Sequence, residues 1–168
     1  SSRGRRDAAL VEALRSANGA AVAYAQSRAR VERIATALRR EGVATAAYHA
    51  GQWSDQRRAT QDAFMAGDLR VIVATSAFGM GVDKADVRAV VHDAIPPSLE
   101  AYYQEAGRAG RDRRRATCVL LYAPTDRRIP EHFARAAVPD RGVIERVWAA
   151  IQAAAWPALE PVEIGRAH

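Results

Sequence analysis

The sequence predicts an α/β fold built on an open, mostly parallel sheet, with a short helical extension at its C-terminal end. Short β-rich apolar runs alternate with longer segments of helical periodicity over about 120 residues, the pattern of parallel βαβ units with right-handed crossovers. Past Pro124 the alternation gives way to helical spacing alone. Residues 1–126 are therefore expected to form one domain and residues 127–168 an extension or the start of a following element, a division that 168 residues accommodate.

The elements follow in order. A helix is expected from about Asp7 to Ala17, closed by Asn18-Gly19, and a buried strand from Ala20 to Tyr24. Ser27 caps the next helix, in which Val31, Ile34, Ala35 and Leu38 recur at helical spacing until Glu41-Gly42. Strand Ala44 to Tyr48 leads to a helix capped by Ser54, carrying Phe64 and Met65 and ended by Gly67-Asp68. Arg70 to Thr75 reads as a fully buried strand and Val87 to His92 as another. Pro96-Pro97 breaks the chain, Ser98 caps a helix to about Gly107, and Thr117 to Tyr122 is the last strand. In the tail, Ile129 to Val138 and Val143 to Ala155 read as helices split by Pro139-Asp140. In such sheets ligands gather beyond the carboxyl ends of strands, so functional residues are sought after residues 24, 48, 75, 92 and 122.

Composition narrows the partners. Lys and Arg number 25 against 19 Asp and Glu, a net charge of +6 that favours a polyanionic partner. All the cations but Lys84 are arginine, whose planar fork binds phosphate oxygens in pairs. Of the apolar 49%, much is alanine, which buries little area; the larger apolar residues still suffice for a core. No run approaches the ~18 apolar residues of a membrane helix, and no apolar signal region follows Arg3, Arg5 and Arg6. A cytoplasmic chain without membrane contact is expected. Lone Cys118 can form neither an internal disulfide nor a cysteine-rich zinc site, and it is read as buried and inert within its strand. The abrupt start at Ser1-Ser2 points to part of a longer protein.

A nucleotide-hydrolysing α/β domain needs a G-x-x-x-x-G-K-[ST] cradle, whose amides and lysine neutralise the phosphates. Lys84 follows Asp83, and no such loop is present. Nor is there an Asp-Glu pair after a strand to hold magnesium and a water, so this chain alone is not expected to hydrolyse ATP. Its most specific segment is Gln104-Glu105-Ala106-Gly107-Arg108-Ala109-Gly110-Arg111, two arginines spaced by three, each preceded by glycine. With Arg113, Arg114 and Arg115, five arginines face Asp112 within residues 108–115, a density that an anion relieves. The plainer reading is a solvated arginine turn.

Gln104 to Arg111 resembles motif VI of superfamily 2 helicases. Ala74-Thr75-Ser76-Ala77-Phe78-Gly79-Met80-Gly81-Val82-Asp83-Lys84 resembles motif V in its RecQ form. Tyr24-Ala25-Gln26-Ser27-Arg28 with Val31-Glu32 resembles motif IV, Tyr48-His49-Ala50-Gly51 the segment after it, and Ile95-Pro96 with Tyr102-Tyr103-Gln104-Glu105 extends the likeness. Residues 7 to 126 thus resemble the second RecA-like domain of a RecQ-family DNA helicase.

That resemblance implies a RecA-like three-layer sandwich and a 3′-to-5′ DNA helicase in which two such domains clamp ATP and Mg2+. The first domain, outside this chain, supplies the cradle and magnesium ligands. Arg108 and Arg111 would act as arginine fingers, Gln104 would position the nucleotide or its attacking water, and Asp83 with Gly79 and Gly81 would face the nucleotide, Asp83 at the ribose. Ser27, Arg28, His49, Thr75 and Ser76 would grip the backbone of DNA, single-stranded or at a duplex junction. Plainer roles stand beside these: a turn aspartate for Asp83, a helix cap for Ser27, a β-branched strand end for Thr75, a satisfied loop histidine for His49.

Tyr24, Tyr48, Trp53 and Phe78 are of a kind that stacks on bases, though aromatics near strand ends are more often core. His92-Asp93 lacks a third ligand at metal spacing, and no metal site is expected in the chain. Many RecQ relatives carry a four-cysteine zinc subdomain next; residues 127–168 contain no cysteine. Two alternatives to the DNA helicase reading are an RNA helicase domain and a nucleic-acid-binding module that never hydrolyses ATP.

Overall fold

Runs of valine and alanine set the sheet, because β-branched and small side chains pack on a pleated surface covered from both sides. In a computed structural model of the chain, which describes residues 2–76, 78, 83–122, 126, 141–142, 145–146 and 148–149, the strands are β1 (Ala20–Tyr24), β2 (Thr45–Tyr48), β3 (Val71–Ala74), β4 (Val87–His92) and β5 (Thr117–Leu120). They form one parallel sheet in the order β2-β3-β1-β4-β5. Tyr48 and Tyr24 both pair with Ala74, Tyr24 with His92 and His92 with Leu120, so all five carboxyl ends are level.

The helices are α1 (Ser2–Arg15), α2 (Arg28–Arg40), α3 (Ser54–Ala66) and α4 (Leu99–Ala106). Right-handed crossovers sort them by direction of travel. The connection β1 to β2 moves one way along the sheet and puts α2 on one face; β2 to β3 and β4 to β5 move the other way and put α3 and α4 opposite. Leu10 and Leu14 of α1, with Val31, Ile34 and Leu38 of α2, pack on Ala21, Ala23, Val71, Val73 and Val91. Phe64 of α3 and Phe78 pack on Val22, Tyr24, Ile72, Ala74 and Val90. Alternate residues of β1 and β3 serve the two faces, giving the three-layer sandwich expected.

Ser27 Oγ accepts from the amide of Arg30 at 3.2 Å and Ser98 Oγ from that of Ala101 at 3.0 Å, as their capping roles require. Several expectations are corrected. Helix α1 starts at Ser2 rather than near Asp7, its first turns held by Arg6–Asp126 (2.6 Å) and Asp7–Arg30 (2.5 Å) ion pairs. Trp53, not Ser54, precedes α3, with the Trp53 amide donating to Gln56 Oε1 at 3.4 Å. Trp53 is 80% exposed rather than core, whereas Tyr24 and Phe78 are buried. Cys118 is exposed, because β5 is the outer strand beyond β4 and is covered on fewer sides. What burial it has still raises its thiol pKa, which favours the protonated form.

The chain divides into two compact units, Ser1–Glu131 and His132–His168. The sheet and helices α1–α4 belong to the first. In the second, helical backbone is described at residues 141–142, 145–146 and 148–149, where Arg141 pairs with Glu145 at 2.9 Å. The rest of the two expected tail helices lies outside the described residues. No helix among the described residues is long and apolar enough to cross a membrane.

Candidate functional site

Three neighbouring strands, β2, β3 and β1, deliver their following loops to one edge of the sheet. After β1, Ser27 caps α2 and exposed Arg28 begins it; the Arg28 guanidinium lies against Gly51, where an added Cβ would be 3.0 Å from its Nη1. After β2, His49 is buried. Its Nδ1 accepts from the Gly51 amide at 3.2 Å, which leaves the proton on Nε2 to donate to Glu32 Oε1 at 3.0 Å. After β3, the Thr75 amide donates to the Tyr48 carbonyl at 3.2 Å, which seats this loop beside the end of β2, and Ser76 is exposed next to it. The fold thus brings Ser27, Arg28, His49, Thr75 and Ser76 to one edge. His49 is tied to Gly51 of its own loop and to Glu32 of α2 and presents little surface, which fixes the turn that Arg28 crosses.

The arginine segment lies elsewhere. Helix α4 runs antiparallel to the strands and returns the chain to the amino end of β4, where the Gly110 amide donates to the Val87 carbonyl at 2.9 Å and the Asp112 amide to the Ala85 carbonyl at 3.2 Å. The backbone of this turn therefore lies at the amino end of β4, away from the strand carboxyl ends after which site residues are sought, because α4 carries the chain back. Gly110 has φ 63°, and a Cβ there would stand 2.7 Å from the Arg114 carbonyl, so only glycine makes this turn. Arg111 Nη1 pairs with Asp83 at 2.5 Å, and its Nε donates to the Gly107 carbonyl at 3.3 Å. Arg111 and Asp83, both proposed from sequence to face a nucleotide, are therefore neighbours, both exposed. Gln104 is exposed, and its Nε2 donates to Glu100 one turn back at 3.3 Å rather than to either arginine. Gly79 and Gly81 lie outside the described residues.

Tyr24 joins the two regions. It lies at the carboxyl end of β1 just before Ser27, its hydroxyl donates to the Phe78 carbonyl at 3.0 Å, and its ring stacks on His92 with centroids 5.5 Å apart. His92 in turn donates from Nε2 to Glu105 of α4 at 2.9 Å. Burial pushes the Tyr24 phenol up to about 12, against the pull of the Arg108 guanidinium hydrogen-bonded to it, so the phenol stays protonated at neutral pH. The sequence offered Tyr24 as a motif IV residue and a stacking or core aromatic and His92 as a strand end and a discounted metal ligand, without linking the two. Among the described residues no group of three His, Cys, Asp or Glu is placed to hold a metal ion. Asp93 is instead gripped by Arg30 through two hydrogen bonds, at 2.8 and 2.6 Å.

A second unforeseen contact steadies the arginine turn. Asp112 pairs with Arg88 of β4, Arg88 Nη1 donating to Asp112 Oδ1 at 3.0 Å, and accepts from the Arg114 amide at 3.1 Å. The available signal was a polar Arg88 inside the otherwise apolar run Val87 to Val91. Hydrogen bonding from Arg88 holds the Asp112 carboxyl below its ordinary range. A carboxylate with a depressed folded-state pKa contributes stability above its unfolded pKa near 4 and loses it as pH falls through the folded value. Thermal unfolding of the parent and of Asp112→Asn should therefore differ across pH 5 to 8, and the gap should close below about pH 4.

Comparison with known proteins adds four likenesses. The family description "Helicase conserved C-terminal domain" matches residues 5–113. The ATP-dependent DNA helicase RecQ of Pasteurella multocida is 53% identical over 105 residues, which cover 62% of this chain and 17% of that protein. Among solved structures, a DEAD box protein from Methanococcus jannaschii superposes with a TM-score of 0.67 at 22% identity, covering 80% of this chain and 37% of that one, a likeness of fold. The helicase Lhr of Mycobacterium smegmatis, solved with single-stranded DNA and AMP-PNP bound, gives a TM-score of 0.59 at 28% identity over 68% of this chain and 16% of that one. The chain spans about a sixth of the length of its RecQ relative.

Proposed function

Because the chain belongs to the helicase conserved C-terminal domain family, in a RecQ-type form, we propose that it serves as the second RecA-like domain of an ATP-dependent 3′-to-5′ DNA helicase. A first RecA-like domain holds most of the ATP and its Mg2+; this chain completes the site and grips DNA, single-stranded or at a duplex junction, in the cytoplasm or nucleoid. The observation that carries the reading is the glycine-made turn that sets Arg111 beside Asp83, its backbone at the amino end of β4, while Arg108 of the same turn reaches the Tyr24 hydroxyl.

The donors present fit a nucleotide. Two guanidiniums suit phosphate oxygens and one carboxylate suits ribose hydroxyls. When bound, Mg2+ would offset charge on the phosphates. The Arg111–Asp83 pair is solvent-exposed, and such pairs contribute only about 0–1 kcal/mol, so Arg111 exchanges Asp83 for a phosphate at little cost. Asp83 is then released toward the ribose. Gln104, turned to Glu100, would reach the nucleotide only by a rotamer change. At the other edge, hydroxyls, amides and one guanidinium contact phosphates without reading bases, which suits a motor that moves along any sequence.

Titration with single-stranded DNA at two salt concentrations tests the nucleic-acid half. Neutralising about three phosphates should weaken binding by roughly tenfold or more between 50 and 200 mM salt. Salt-insensitive affinity would remove the phosphate-gripping assignment. ATP turnover should be absent in this chain and emerge only when it is joined to a first RecA-like domain; without that emergence the chain is a non-catalytic nucleic-acid-binding module. DNA rather than RNA is favoured by the RecQ likeness, since the DEAD box likeness is one of fold.

A further inference from the structure

Trp53 leaves 80% of its surface in water, against 4% for Tyr24 and 1% for Phe78, although it closes the turn that begins at buried His49. An indole contributes nothing to the core at such exposure, yet its backbone is firmly held. The Gln52 amide donates to the His49 carbonyl at 3.1 Å and Gln52 Nε2 to the Ala47 carbonyl at 3.1 Å. On the other side, Arg57 donates from its amide to the Trp53 carbonyl at 3.1 Å and from Nη1 to the Gln52 carbonyl at 3.0 Å. Arg28, on Gly51, supplies a second guanidinium to the same corner. Carboxylates close by in the fold or the chain are Glu32, engaged by His49, and exposed Asp55 in the first turn of α3.

Resting on the reading that the carboxyl ends of β1, β2 and β3 face a nucleic-acid backbone, we propose that Trp53 is a stacking platform for an unpaired base of the bound strand. Its chain neighbours Gly51, Gln52, Ser54 and Asp55 offer no large apolar side chain, unlike the apolar surround that a protein partner's hydrophobic anchor needs. A base attached to phosphates satisfies both features of the corner: the guanidiniums take the phosphates and the indole takes the π-face, which every base has. The contact therefore adds affinity without sequence preference, and it requires the strand to be single at that point.

The test compares a labelled oligo(dT) with an abasic oligonucleotide of equal length, which keeps the phosphates and lacks the bases. Trp53→Ala should weaken oligo(dT) binding on the order of tenfold and leave abasic binding unchanged, and Trp53→Phe should recover most of the loss. The salt slope should stay the same, because no phosphate contact is removed. An unchanged affinity for oligo(dT), including the case in which Trp53 serves a protein partner instead, overturns the proposal. Equal losses on both ligands also overturn it. Failure of the underlying reading has a separate signature: Arg28→Ala then leaves binding untouched and the salt slope is flat. Circular dichroism of the variants should match the parent, since an exposed ring is being replaced.

Discussion

Replacing Arg111 with alanine, in the polypeptide that joins this domain to a first RecA-like domain, should lower ATP turnover by about 10³- to 10⁵-fold while single-stranded DNA is still bound. The size follows from the chemistry of phosphoryl transfer. Negative charge spreads over the oxygens of the transferring group in the transition state, and a guanidinium already in place there stabilises it without reorganising solvent. Arg111 is held ready by its Nε bond to the Gly107 carbonyl and by an exposed partner, Asp83, that it can release. Lysine at 111 keeps the charge but not the planar fork, and should restore only part of the rate. Steady-state ATPase measurements with saturating DNA decide the matter. Turnover within a few-fold of the parent removes Arg111 from the nucleotide site, and parallel loss of DNA binding points to a folding defect instead.

Phe78→Ala should cost about 3–5 kcal/mol of unfolding free energy, a large share of the roughly 5–15 kcal/mol that holds a domain together. The ring is 1% exposed and meets Tyr48 edge-on at 4.9 Å and Phe64 at 6.1 Å between centroids, so its removal leaves a cavity bounded by two other aromatics. The same residue's carbonyl accepts the Tyr24 hydroxyl, so the damage should reach β1 as well. Urea unfolding of the parent and variant reads the difference. A loss below about 1 kcal/mol would mean that neighbouring side chains close the gap. Phe78→Leu should recover much of the stability because it refills most of the volume.

The fold was legible because its signals are local. Val71 to Ala74 can only be a buried strand, Ser27 and Ser98 stand where caps must, and Gly42 and Gly67 take the positive φ that ends their helices. The motif residues were legible for a different reason, their resemblance to a helicase family. Their arrangement was not. Arg111 and Asp83 are 28 residues apart and Arg88 and Asp112 are 24 apart, and no periodicity announces pairs that meet only after α4 has turned the chain back. Burial at the rim of the sheet also escaped. Cys118 sits in an apolar strand pattern and Trp53 is an aromatic just past a strand end, both of which read as core, and whether such a position is covered depends on how far a neighbouring layer extends.

Strand order has one more consequence. The loops of the proposed nucleic-acid edge follow β1, β2 and β3, yet β3 lies between the other two in the sheet, so residues 27–28, 49–51 and 75–76 become neighbours only once the β1–β2 and β2–β3 crossovers have closed. No excised peptide bearing one of these loops retains the surface; it is an all-or-none property of the assembled layer, gained and lost with cooperative folding.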